Sequence, residues 1–355
     1  MLGGIDLTTP GDFVLEVRDV SRDFAAPRRG ILRRSVREVV RAVSNVSFRL
    51  RRGEVLGIVG ESGSGKTTLA RMLVRLIPPT SGVISFHGRD IFAMPEDEVR
   101  RHLRPRLRMI FQDPDAPLNP AYTVGVGLAR AIRLHAPEGG ADTDGVVTAL
   151  LQRVGLDDSF GGKYPDELSG GEKRRVGICR ALATNPELIV ADEPLSGLDV
   201  VLQERVLELL MAERERRGFA VILVSHDLDR VNQVCDRALV MFRGRVVEDV
   251  VLRSAGGEMT APYVHPYSVS LHGARDAWRD GVPGERELAT ENLGKAYANS
   301  QLPESLKNGC AYAERCGVRV HAGRSELCDY VSPLVQSYGD GHSVLCHFPD
   351  ALSPK

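Results

Sequence analysis

Eight consecutive residues, Gly60-Glu61-Ser62-Gly63-Ser64-Gly65-Lys66-Thr67, fit the pattern G-x-x-x-x-G-K-[ST]. The chemistry such a run can do is phosphate binding. The glycines let backbone N–H groups turn inward around phosphate oxygens, and a helix starting there adds partial positive charge. Lys66 supplies a full charge to the β- and γ-phosphates, and Thr67, with Thr68 beside it, opens the helix with a hydroxyl that can ligate Mg²⁺. The pattern requires a strand before it and a helix after it. The apolar run Val55–Val59 precedes it, and Leu69, Met72, Leu73 and Leu76 follow at helical spacing.

Two acids end another apolar run, Leu188-Ile189-Val190-Ala191-Asp192-Glu193. Asp192, at a strand end, is placed to hold Mg²⁺ through water, and Glu193 to orient and activate an attacking water. In isolation such a pair is equally an ordinary solvated turn. His226 follows a third run, Ala220–Val224, and Gln112 sits in Ile110-Phe111-Gln112-Asp113-Pro114. Taken alone, His226 reads as a capping or core residue and Gln112 as a surface one. Phe24 is a candidate to stack on adenine, and equally a buried aromatic at a strand end.

These residues need elements to position them. Continuous apolar runs at 55–59, 188–191 and 220–224 suit central strands buried on both faces. Leu15 and Val17, then Val46, Phe48 and Leu50, alternate with polar residues and read as half-buried strands. Val201, Leu202, Val206, Leu207, Leu209 and Leu210 keep helical spacing between Asp199, a plausible cap, and Gly218, a plausible stop. Val146, Val147, Leu150, Leu151 and Val154 predict one face of a helix within a helical insertion over about 113–183, and a second helix is expected from residue 169 through Arg180. Ala238–Phe242, Arg243-Gly244 and Arg245–Val247 read as a closing hairpin. Strand–helix alternation argues for an α/β core with a largely parallel sheet. Beyond about Gly256 the texture changes, and 273–308 reads as a charged linker or arm.

Leu168-Ser169-Gly170-Gly171-Glu172 gives the sequence its family likeness: LSGG resembles the signature of ATP-binding cassette (ABC) proteins. The resemblance implies an α/β fold with a P-loop (RecA-like) core, an N-terminal antiparallel β subdomain, a helical insertion and a small C-terminal cysteine-containing domain. It implies a nucleotide-binding domain over 1–255 and an extension over 256–355. It implies that two cassettes close on two ATP molecules, with Ser169, Gly170 and Gly171 meeting the γ-phosphate bound by the other chain. It makes His226 a switch residue on the γ-phosphate and Gln112 a sensor of Mg²⁺ and γ-phosphate that relays closure to a membrane partner. Pro194 and Ser196-Gly197-Leu198-Asp199 match the ABC segment that contacts the partner cassette. Glu172 and Lys173 stand where Gln-Arg is more usual, beyond the glycines.

Phe111–Pro114 with Leu118-Asn119-Pro120, then His265-Pro266-Tyr267, resemble ATPases of oligopeptide/dipeptide importers. Pro303, then Gly309-Cys310, Arg315-Cys316, Cys328, Pro333 and Cys346-His347 resemble the C-terminal cysteine region of that family, with the Cys316–Cys328 spacing longer than usual. Four thiolates could bind one [4Fe–4S] cluster, as the family implies for some members. A four-cysteine zinc site and plain buried thiols are the alternatives, and His321, His342 and His347 complicate the ligand choice. Cys179 and Cys235 read as packing residues.

The chain has 355 residues, room for about two domains at the usual ~150 each. A net charge of -1 excludes a general polyanion-binding field, so no nucleic acid is expected. Arg28, Arg29, Arg33, Arg34, Arg37 and Arg41 form a local basic cluster that reads as a solvated loop or hairpin, with a lipid- or nucleic-acid-binding patch as the alternative. No apolar run approaches the ~20 residues that span a bilayer, and the N-terminus lacks a secretory pattern. The expectation is an ATPase on the cytoplasmic face of the membrane. Its expected partners are two integral-membrane permease subunits, a second ABC ATPase subunit and, indirectly, an extracytoplasmic solute-binding protein. A soluble ABC ATPase acting on ribosomes or nucleic acid is the competing reading.

Overall fold

A computed structural model describes residues 13–25, 39–134, 143–253, 263–279, 309–316, 318, 325–338 and 341–349. Arg28, Arg29, Arg33, Arg34, Arg37, Pro303, His321 and residues 280–308 of the expected arm lie outside the described residues, whereas 273–279, read as the start of that arm, belong to the helix Pro266–Arg279.

β1 (Phe13–Ala25), β2 (Val39–Arg51), β4 (Ser81–Phe86) and β5 (Arg89–Asp90) form an antiparallel sheet in the order β2-β1-β4-β5. A second sheet takes β3 (Val55–Val59), β6 (Leu107–Ile110), β7 (Leu188–Asp192), β8 (Ala220–Ser225), β9 (Arg237–Phe242), β10 (Arg245–Val251), β11 (Val335–Ser337) and β12 (Ser343–Leu345). Its order is β11-β12-β10-β9-β3-β8-β7-β6. The five strands from β9 to β6 pair in parallel, and the remaining pairs are antiparallel.

The helices are α1 (Lys66–Leu73), α2 (Glu96–Glu98), α3 (Val124–Arg133), α4 (Thr143–Arg153), α5 (Gly170–Leu182), α6 (Val200–Arg217), α7 (Leu228–Val234), α8 (Pro266–Arg279) and α9 (Ser325–Tyr330). The parallel strands divide two cores by their alternation. Leu56, Ile58, Leu188, Val190, Ile222 and Val224 pack with α1 and the antiparallel sheet. Val55, Val59, Ile189, Ala191, Val221 and Leu223 pack with the helical insertion and with α6 and α7. Burial on both faces is why these strands carry uninterrupted apolar runs.

Asp199 caps α6 by accepting from the Leu202 N–H at 2.9 Å, and Gly218 ends it at φ 71. In α4, Val147, Leu150 and Leu151 are buried as expected, but Val146 is 37 % exposed and leaves the predicted face. Leu76 also departs: α1 stops at Leu73, and Leu76 lies beyond it, 54 % exposed. The 238–247 hairpin turns through Arg243 (φ 45) and Gly244 (φ 80), a two-residue turn whose twist matches the strands.

The C-terminal segment does not stand apart from the core sheet. β12 pairs with β10, Glu248 opposite Val344 and Asp249 opposite Ser343. Fully buried Glu248 accepts from the Val264 N–H at 2.7 Å and the His265 N–H at 3.2 Å, and His342 Nε2 lies 2.8 Å from its Oε1.

Candidate nucleotide site

The order β3-β8-β7-β6 sets five candidate residues side by side. Lys66 follows β3, His226 follows β8, Asp192 and Glu193 end β7, and Gln112 follows β6. All four strands are parallel, so these residues share the carboxyl edge of the sheet, where open α/β sheets bind ligands.

The loop from Gly60 to Thr67 is held tightly from behind. Gly60 has φ 151, and a Cβ there would lie 2.1 Å from the Met241 carbonyl oxygen. Gly65 has φ 102, and its Cβ would meet the Ala42 carbonyl oxygen at 2.2 Å. The Gly244 N–H donates to the Ser64 carbonyl at 2.9 Å, so the β9–β10 turn braces the loop. Ser62 and Gly63 are exposed, whereas Ser64 is buried. Lys66 is 4 % exposed and donates to the carbonyls of Gly60 (2.7 Å) and Glu61 (2.8 Å). Burial lowers its pKa, and the charges of Glu193, Asp192 and Glu61 oppose that shift. Thr68, half-buried, follows Thr67 in the first turn of α1.

The Thr67 hydroxyl donates to Asp192 Oδ1 at 3.1 Å. Asp192 is 1 % exposed, and burial raises its carboxyl pKa against the Thr67 hydrogen bond. A hydroxyl and a carboxylate so placed are hard oxygen donors of the kind Mg²⁺ takes, so these residues fit the ion. Glu193 stands next to them at φ 44, a left-handed conformation that a glutamate adopts only under constraint. Its N–H donates to the Val224 carbonyl at 3.0 Å. Gln112 Nε2 donates to Glu193 Oε2 at 3.2 Å, and His226 Nδ1 lies 3.4 Å from Glu193 Oε1. Three residues from three loops therefore meet on one carboxylate.

Other candidates lie apart. Ser169 caps α5, and Ser169 and Gly170 are exposed. The Ser169 hydroxyl and N–H both donate to Glu172 Oε2 at 2.8 Å, and none of the hydrogen bonds described for Ser169 reaches the glycine loop. Those bonds, backbone first, hold the Glu172 carboxyl below its ordinary range. Gly171 packs under Leu202, whose Cδ2 would stand 2.4 Å from a Cβ. Asp199 is exposed beside Val200 and Val201, themselves 63 % and 59 % exposed. Phe24 is half-buried, with the Arg22 guanidinium 4.7 Å from its ring centroid.

The sequence reading missed Arg174. Only 4 % exposed, it donates from NH1 to the Phe111 (3.0 Å) and Gln112 (2.9 Å) carbonyls and from NH2 to the Ser196 carbonyl (2.9 Å). It ties the Gln112 loop, the Ser196 loop and α5 together. Its signal was an arginine at the spacing of Gly171, Ile178 and Leu182, on the buried face of the helix.

Cys310, Cys316, Cys328 and Cys346 line one cavity, together with His265, Tyr312 and His347. All four are free thiols, and Cys316 is the least buried. Burial pushes the Cys346 thiol up to about 12, and the other three cysteines add to the shift. Among the described residues, no group of three or more His, Cys, Asp or Glu gathers closely enough to hold one metal ion. Cys179 and Cys235 are fully buried core residues, as expected.

A glycine-cradled lysine beside a hydroxyl–carboxylate pair, with a poised acid directly after that carboxylate in the chain, is the arrangement of P-loop nucleoside triphosphatases. Comparison with known proteins narrows the class. A sequence model of the ABC transporter family matches residues 43–196. The chain is 38 % identical to the oligopeptide transport ATP-binding protein AppF of Bacillus subtilis (strain 168), over 94 % of this chain and 97 % of that one. It is 40 % identical to the probable peptide ABC transporter ATP-binding protein y4tS of Sinorhizobium fredii, over 87 % and 83 % of the two chains. Among solved structures, the MJ0796 cassette in a dimeric post-hydrolysis state with ADP and Pi superposes with a TM-score of 0.60 at 27 % identity, covering 68 % of this chain and 99 % of that one. The chain belongs to the ABC transporter ATPases, in the family of the oligopeptide and peptide transport ATP-binding proteins.

Proposed function

We propose that this chain is the ATP-hydrolysing subunit that powers import of peptides or similar small solutes through a membrane transporter. The observation that carries the reading is the match to oligopeptide transport ATP-binding proteins along nearly the whole chain, extension included. No helix among the described residues is long and apolar enough to cross a membrane, and in the proposed assembly separate permease subunits supply the passage. Two such subunits, a second ATPase subunit and an external solute-binding protein complete the proposed assembly, with this chain on the cytoplasmic face of the membrane.

The reaction is phosphoryl transfer to water, in which positioning and charge do the catalysis. Lys66 leaves the Gly60 and Glu61 carbonyls to take up phosphate oxygens, and the N–H groups of 60–67 cradle the β-phosphate. Mg²⁺, when bound, neutralises charge developing on the β- and γ-oxygens, and Thr67 and Asp192 would hold it. Glu193 accepts a proton from the attacking water, with Gln112 and His226 fixing its carboxylate. The exposed Ser169, Gly170, Asp199, Val200 and Val201 are read as the surface that meets a second cassette, because none of them closes the site within this chain. Phe24 remains the proposed adenine platform.

The four-cysteine cavity is read as a [4Fe–4S] site in preference to zinc. What supports a shared site is that the four thiols line one cavity, and zinc with four cysteine ligands stays the alternative. Such a group would staple the C-terminal segment. Iron in anaerobically purified protein supports it, whereas a colourless, iron-free and zinc-free preparation with four titratable tail thiols refutes both metals. The transport reading is tested by recovering the protein from detergent-solubilised native membranes. Two polytopic membrane proteins and a solute-binding protein should accompany it, and soluble recovery with ribosomal or DNA-associated proteins would overturn it.

A further inference from the structure

Glu61, the second residue of the glycine loop, is gripped by residues more than 200 positions away. Its N–H donates to Tyr267 Oη at 2.8 Å. Both its carboxylate oxygens accept from Arg315, NH1 to Oε2 at 3.0 Å and NH2 to Oε1 at 2.9 Å. Its carbonyl accepts from Lys66 Nζ and from the Ser64 N–H at 3.2 Å. Backbone donor, backbone acceptor and side chain are all fixed, and two of the three restraints come from the C-terminal segment.

The gripping residues are themselves held. Tyr267 is 1 % exposed, with its ring 4.6 Å from Phe242 and 5.5 Å from Tyr312. Arg315 ends a short turn over Ala313–Arg315, and its guanidinium lies 5.7 Å from both the Phe242 and Tyr312 rings. Arg243, in the turn that braces Ser64, reaches the Ala311 carbonyl and Glu314. The hydrogen bonds to Glu61 lead the causes that raise the Arg315 pKa.

Charge makes this more than packing. A carboxylate in a loop that receives a polyphosphate repels its ligand, and Glu61 also acts on Lys66. The two-pronged Arg315 bond neutralises that carboxylate and turns it away as a tether. We propose that Tyr267 and Arg315 are positioning residues for ATP, so that the C-terminal segment is a working part of the nucleotide site. The proposal rests on the ATPase reading and goes beyond it.

The test compares full-length wild type, R315Q, E61Q, R315Q/E61Q and Y267F. It measures binding of a fluorescent ATP analogue, the KM for ATP and kcat, with thermal melting to check the fold. R315Q leaves a bare carboxylate beside the phosphates, and KM for ATP should rise about tenfold with kcat within about twofold, the size of a partly exposed two-pronged ion pair. E61Q alone should raise KM about twofold to threefold, because it loses the tether but also the repulsion. The double variant should bind ATP better than R315Q, a sign that a packing defect would not produce. Y267F, which keeps the ring and removes one acceptor, should raise KM severalfold and stands in if R315Q does not fold. Folded R315Q and Y267F with wild-type KM would overturn the proposal, as would a double variant worse than R315Q. Wild-type protein that binds no ATP would overturn the ATPase reading as well, which separates the two failures.

Discussion

Replacing Arg174 by Met should loosen two loops of the nucleotide site at once. Met keeps most of the aliphatic bulk, so the change isolates the guanidinium. Three hydrogen bonds are lost, at 3.0, 2.9 and 2.9 Å, to the carbonyls of Phe111, Gln112 and Ser196. Hydrogen bonds to charged groups contribute ~1.5–3 kcal/mol each, which sums to roughly 5–9 kcal/mol. That sum is too large for three reasons. NH1 is shared between two acceptors, removing the guanidinium also removes its own desolvation cost, and the exposed Gln112 segment can rehydrate. A net loss of about 2–3 kcal/mol remains. Urea denaturation of the nucleotide-free protein measures it. ATP turnover should fall ~10–100-fold, because Gln112 would no longer be held against Glu193. R174K should recover only part of either effect, since one ammonium cannot span three carbonyls in the geometry of a fork. A loss below about 1 kcal/mol, with turnover unchanged, would refute the bracing argument.

Three further outcomes follow from the same geometry. G60A should abolish ATP binding, because φ 151 strains any side chain and the new Cβ would sit 2.1 Å from the Met241 carbonyl oxygen; equilibrium binding of labelled ATP checks it. K66A should likewise lose ATP binding while remaining folded, since the hydrogen bonds described for Lys66 go to loop carbonyls. Glu213 gives a pH effect. Burial pushes its carboxyl up, but the Arg216 hydrogen bond with the charges of Arg217 and Arg216 outweighs burial and holds it below the ordinary 4.5. A depressed carboxyl stabilises the fold above pH 4.5 and loses that stabilisation as pH falls through its lower folded value, so E213Q should flatten the acid limb of the stability curve measured from pH 6 to 3.

The parallel core was legible because buried strands must be apolar on both faces, and the runs at 55–59, 188–191 and 220–224 declare it. The glycine loop was legible because its backbone geometry admits few residues. Val146 was misplaced because periodicity identifies a stripe but not where the neighbouring element stops covering it, and Leu76 because spacing does not mark where the helix itself ends. The meeting of Gln112, Glu193 and His226 could not be read from spacing, since it depends on strand order, which crosses over between β3 and β7. Arg174 was hidden because an arginine on an amphipathic helix normally marks the wet face. Glu61 looked like a filler position in the loop pattern, and its partners lie 206 and 254 residues away. The C-terminal segment read as a separate unit by composition, yet β12 extends the core sheet, a pairing that three-residue strands do not announce.

The proposed catalysis depends on the Glu193 carboxylate as the base that activates water. Single-turnover hydrolysis and ATP binding in E193Q test it together: the amide keeps the size and the contact to Gln112 but cannot accept a proton. Hydrolysis should slow by ~10²–10⁴ while ATP still binds. Near-normal turnover with ATP bound would contradict the assignment and move the base elsewhere in the site.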